Sequence, residues 1–142
     1  MLVWVVGIGM LVVCGIAAVR EERARRKRLD RLFEGRDALS ADEFGKRYFS
    51  GAEAEIAARV RKVVQDQMAA DGRRLLPDDH LTNDLEVGYP TDSMDWLELV
   101  MALESEFKIE IAGKDAAIFR NIRDVVHYLS ARGVRTHRTG ST

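Results

Sequence analysis

A chain of 142 residues has room for one modest domain plus extensions. Its single cysteine, Cys14, excludes an internal disulfide and a cysteine-based metal cluster, and its three histidines have no metal-site spacing. The formal net charge of −1 says little about partners, because basic residues crowd the first third and acids crowd Asp78 to Glu110.

Met1 to Val19 carries no charged side chain. As a helix it would be about 28 Å long, close to the ~30 Å hydrocarbon core of a bilayer. A cleaved signal peptide needs a charged leading region and a shorter apolar centre, and neither is present. LVVC is similar to a lipoprotein box, but Val13 is bulky where a small residue is required. The expectation is a retained transmembrane anchor over residues 1–19. The run REERARRKR (20–28) follows, and basic residues beside a span stay on the cytoplasmic side. That gives a single-pass protein of the inner, cytoplasmic membrane with its carboxyl end in the cytoplasm and its basic cluster near anionic lipid. Nucleic-acid binding competes poorly, because no aromatic residue is interleaved with the charges.

Residues 20–50 form a basic juxtamembrane segment and a short linker helix. Leu32 and Phe33 are apolar points in a helix continuing from the span. Ser40 and Glu43 spell a capping box, with Leu39 and Phe44 as its hydrophobic staple. Ala52 to Ala69 reads as a helix, with Ile56, Val60, Val63, Val64 and Met68 inside and Arg59, Arg61 and Lys62 outside. A long loop, Leu75 to Thr91, carries Pro77 and Pro90, with Leu76, Leu81 and Leu85 as anchors.

In the next helix, Thr91 to Glu106, Asp92 or Ser93 supplies an N-cap oxygen, and Asp95 and Glu98 suit the positive end of the helix dipole. Trp96, Val100, Leu103 and Phe107 form the core stripe. Asp95, Glu98, Ser105 and Glu106 point outward, and Met94, Leu97 and Met101 make an apolar shoulder. A short helical turn near residues 115–119 and a last helix to Ala131 follow, with Ile122, Val125, Val126 and Leu129 inside. Residues 134–142 are a polar, disordered tail. No strand and no catalytic constellation is predicted: Ser93 has no histidine near it in sequence and no nucleophile-elbow glycines.

The segment Asp92-Ser93-Met94-Asp95-Trp96-Leu97-Glu98-Leu99-Val100 resembles the attachment motif of the acyl carrier protein family. The likeness runs from LLPDDHLTNDL (75–85) to DVVHYL (124–129), over roughly Ala52 to Gly133. It implies an all-α fold, an acyl-carrier-like four-helix bundle over 51–133, here preceded by the expected transmembrane helix. It implies 4′-phosphopantetheine on Ser93, with Asp92 assisting the transferase, and no enzyme activity of the chain itself. It also implies partner contacts through Met94, Asp95, Leu97, Glu98, Met101 and Glu104. The partners would be a phosphopantetheinyl transferase and acyl-transferring or acyl-activating enzymes, including membrane-associated ones. An unmodified interaction module and an aminoacyl carrier are the alternatives. Three features depart from the family pattern. EVGYPT separates Asp84-Leu85 from Asp92-Ser93 where many relatives have two residues; Ser105, Lys108 and Lys114 replace frequent acids; and Trp96 stands where many relatives are small.

Overall fold

A computed structural model describes residues 2–68, 71–87 and 94–134, all-helical with no strand among them. The helices are α1 (Leu2–Phe33), α2 (Ala41–Tyr48), α3 (Ala52–Asp66), α4 (Met94–Phe107), α5 (Gly113–Ala116) and α6 (Ile122–Ala131), with a 3₁₀ turn at Gly72–Arg74. The expected tail falls almost wholly outside the described residues.

α3 is the central helix, packed against α2, α4 and α6. Its inner face presents Ile56, Val60, Val63 and Val64, all buried, as their helical spacing predicts. The inner stripe of α6 (Ile122, Val125, Val126, Leu129) is fully buried against the same core. Asn121 caps α6 by accepting from the Asp124 N–H at 2.9 Å, which satisfies an orphan donor of its first turn. The Ser40–Glu43 capping box forms in full, with Glu43 Oε2 accepting from the Ser40 N–H at 2.8 Å.

α2 docks on α3 through Phe44, which is completely buried and in edge contact with the Tyr48 ring at 5.3 Å. Gly45 makes that approach possible. A Cβ there would lie inside the van der Waals contact of the Ala54 carbonyl oxygen on α3. Arg61, expected outside, is instead 1 % exposed beneath α2, with its guanidinium over the Phe44 ring at 5.6 Å. The reason is α2 itself, which covers the side of α3 that an isolated helix would show to water. Burial lowers the Arg61 pKa from its ordinary value, and among the described residues its Nε and Nη1 have no hydrogen-bond partner.

The membrane anchor expected at residues 1–19 is corrected by the structure: among the described residues no helix is long and apolar enough to cross a membrane. Arg20, Glu21 and Glu22 follow Val19 at once. Single-pass inner-membrane localisation falls with the span, and nothing supports the membrane as a partner. α1 instead continues unbroken to Phe33, and within the basic stretch expected to meet lipid Arg25 and Arg28 contact Glu86. Leu29 is fully buried and Phe33 is 2 % exposed, both in the core cluster that holds α3, α4 and α6.

Because Gly45 meets backbone rather than a movable side chain, Gly45→Ala is expected to destabilise the chain by about 1–3 kcal/mol through overpacking. Thermal melting of both proteins checks this; an unchanged midpoint would mean that α2 does not sit this close to α3.

Candidate functional site

α4 is held by one face and open on the other. Trp96 (7 % exposed), Leu99, Val100, Leu103 and Phe107 are buried, so the predicted stripe is in place, with Leu99 an addition to it. At the far end, Arg59 of α3 donates to Glu106 Oε1 at 2.8 Å and to the Glu106 carbonyl oxygen at 2.7 Å. The same guanidinium lies 4.4 Å from the Phe107 ring centroid. α4 ends as Lys108 turns into the left-handed region (φ 55°).

The opposite face carries Asp95, Leu97, Glu98 and Met101. All four are exposed, Leu97 by 50 % and Met101 by 57 %. A half-exposed leucine and methionine between two acids form a small apolar patch with a charged rim. Glu104 is differently employed: its Oε1 accepts from the Ile111 N–H at 2.8 Å and so ties α4 to the connection before α5. Asp92, Ser93 and the Met94 side chain lie outside the described residues. In the sequence Ser93 is the residue before Met94, where α4 begins.

The loop leading to this point is fastened on two sides. Towards α6, Arg123 forms a bidentate pair with Asp78 at 2.7 and 2.9 Å, and the Leu81 N–H donates to the Arg120 carbonyl oxygen at 2.8 Å. Towards the N-terminal region, Arg36 donates to Asp79 Oδ2 at 2.7 Å, and the same oxygen accepts from the Leu76 N–H at 2.8 Å. The loop then closes on itself, the Val87 N–H donating to the Leu81 carbonyl oxygen at 2.8 Å while Leu81, Leu85 and Val87 are buried.

Glu86, in that closing turn, was missed by the sequence analysis. Its backbone is left-handed (φ 54°), which directs it to α1. Arg28 donates from Nε and Nη2 to its two carboxylate oxygens at 2.6 and 2.9 Å, and Arg25 Nη2 donates to its carbonyl oxygen at 2.6 Å. The only available signal was its place at the head of EVGYPT, six residues where many relatives have two.

Asp95 lines two open grooves where α1 passes the start of α4. One, about 510 Å³, is shared with Glu21, Arg25, Thr82, Asn83 and Glu86. The other, about 260 Å³, includes Glu22, Arg25, Met68, Val87 and Glu98. Among the described residues no pocket holds a nucleophile beside a base.

The hydrogen bonds from Arg28 hold the Glu86 carboxyl below the usual 4.5, and those from Arg123 hold Asp78 below 3.8. Hydrogen bonds from Arg73 lower Asp71 to about 2. Each group has a depressed folded-state pKa, so its contribution is fully present above the unfolded value and is lost as pH falls through the folded one. Stability should therefore be level from neutral pH to about 5 and decline below the ordinary glutamate value. Glu86→Gln should lower the melting midpoint at pH 7 and lose less than wild type between pH 4.5 and 3. Parallel acid-induced losses would show that the Arg28–Glu86 pair is not part of the effect.

Comparison with known proteins agrees with this arrangement. Residues 58–129, from within α3 to near the end of α6, match the family described as "Phosphopantetheine attachment site". The chain is similar to the acyl carrier protein of Cyanidium caldarium, 40 % identical over 75 residues that cover 53 % of this chain and 83 % of that protein. It is similar also to the acyl carrier protein of Thermosynechococcus vestitus, 33 % identical over 78 residues, 55 % of this chain and 91 % of the other. α1 and α2 lie outside the family match.

Proposed function

Given that this chain belongs to the acyl carrier protein family, we propose that Ser93 holds the arm and that the open face of α4 receives partner enzymes. The protein is a carrier of acyl groups on a covalently attached 4′-phosphopantetheine. When attached, the arm supplies a thiol that holds the acyl group as a thioester. The observation that carries the proposal is the exposure of Asp95, Leu97, Glu98 and Met101 on a helix that begins directly after Ser93, inside the matched segment.

The residues then divide the work. Asp92 stands beside Ser93 to assist the transferase, which brings its own base. Asp95 and Glu98 raise the rate of encounter with a basic partner, and Leu97, Met101 and Met94 hold the complex once formed. Glu104 acts at this face chiefly by holding the α4–α5 connection. The carrier unit extends beyond residues 51–133 of the sequence, because Leu29, Phe33 and Phe44 share its core. The chain itself performs no chemistry on its cargo; acyl-handling enzymes do.

Incubation of the full chain with coenzyme A and a broad-specificity phosphopantetheinyl transferase should add the mass of one phosphopantetheine, and Ser93→Ala should add none. A wild-type chain that gains no mass would favour an unmodified interaction module.

The buried Trp96 indole occupies the bundle interior that a long acyl chain would need. Interiors near crystal density do not open for added methylenes without strain of ~1–3 kcal/mol. Loading with long rather than short acyl groups should therefore leave the melting midpoint nearly unchanged. Trp96→Ala, after a cavity cost of about 3–5 kcal/mol, should be measurably stabilised by the long chain. Strong stabilisation of wild type by a long chain would contradict this role for Trp96.

A further inference from the structure

The largest of the fully buried side chains belongs to a charged residue, Arg61 of α3, which lies beneath α2. A guanidinium carries five N–H donors and keeps its charge in a protein. Among the described residues Nη2 alone finds an acceptor, Gln65 Oε1 at 3.2 Å, while Nε and Nη1 are buried without one. The carboxylates that attract Arg61 through space, Asp71 and Glu43, are committed elsewhere. Asp71 accepts from Arg73, and Glu43 accepts from the Ser40 N–H in the capping box of α2. The Phe44 ring, 5.6 Å from the guanidinium carbon, gives a cation–π contact in place of the ion pair that a fully buried arginine ordinarily takes.

We propose that α2 is a lid on α3, one that lifts while α3, α4 and α6 stay packed, because its seat buries the Arg61 charge without enough acceptors.

The buried cation opposes closure, since lifting α2 returns Nε and Nη1 to water, where each donor finds a partner. The seam between the two helices is already open along one side. There Asp42, Lys46 and Phe49 face Ala54, Glu55 and Ala58 across a groove of about 650 Å³. A pivot lies at the end of that groove. Gly51, between α2 and α3, has φ 58° and open space where a side chain would stand, so the backbone can turn there without a clash.

On the closing side stand the burial of Phe44 and the approach of Gly45 to the Ala54 carbonyl oxygen, which keep the lid seated. The rest of α3 does not depend on α2. Ile56, Val60, Val63 and Val64 lie in the core cluster, and α4 and α6 pack on the same helix. Lifting α2 therefore uncovers Phe44 and the flank of α3 that carries Ala54, Ala58 and Arg61, an apolar strip with one cation.

The test follows amide hydrogen exchange of the full chain at several low concentrations of denaturant. In the wild type the α2 amides should exchange through an opening that depends only weakly on denaturant, while those of α3 and α6 exchange only with global unfolding. Two substitutions then act on the same charge from opposite sides. Arg61→Met replaces the cation by an apolar chain, and Gln65→Glu gives it a charged acceptor one turn along α3. Each should slow α2 exchange by about tenfold, and the double variant should gain nothing from Gln65→Glu. Wild-type α2 amides that exchange only together with those of α3 and α6 would overturn the proposal. So would unchanged or faster α2 exchange in either single variant, because Arg61 would then be seated at no cost.

Discussion

The burial of Leu29 and Phe33 is the constraint on which the remaining arrangement depends. These two side chains project from the end of a helix whose preceding turns are strongly charged, and they enter the core that α3, α4 and α6 share. Full burial of residues this size is worth about 1.5–3 kcal/mol each in transfer from water. That anchorage holds the arginine-rich turns of α1 against the loop before α4, so Arg25 and Arg28 meet Glu86 in a fixed geometry.

The surface around the start of α4 is accordingly built from more than the matched segment. α4 contributes acids and an apolar patch, as the family resemblance implies. α1 adds a flank of mixed charge beside them, and the grooves beside Asp95 are walled partly by Glu21, Glu22 and Arg25. On the proposed reading, a partner that approaches Asp95 and Glu98 also meets the charges of α1. Electrostatic contacts of this type set encounter rate and choice of partner more than they set affinity.

Much of this was legible in the sequence, where one local signal sufficed. The spacing of Val60, Val63 and Val64, the Ser40–Glu43 box, and the stripe of Trp96, Val100, Leu103 and Phe107 each depend on residues within a turn or two of one another. What the sequence did not reveal depends on elements far apart. Arg61 looks like a surface residue until α2 is laid over it. Leu29 is hidden in a charged run, and nothing near it in sequence says that it reaches the core. Glu86 acquires its role only because α1, some sixty positions earlier, comes to lie against it. The reading of residues 1–19 as a membrane span rested on apolar composition alone, and among the described residues no helix is long and apolar enough to cross a membrane.

If α1 is part of the carrier fold rather than an appendage, truncating its anchor must weaken the whole domain. The most direct measurement is denaturant unfolding of the full chain beside Leu29→Ala, with amide exchange across α4 and the turn at 81–87. The account predicts one cooperative transition for both proteins, a loss of about 2–5 kcal/mol for the variant and faster exchange in that turn. An unchanged midpoint with undiminished protection of α4 and the turn would contradict it.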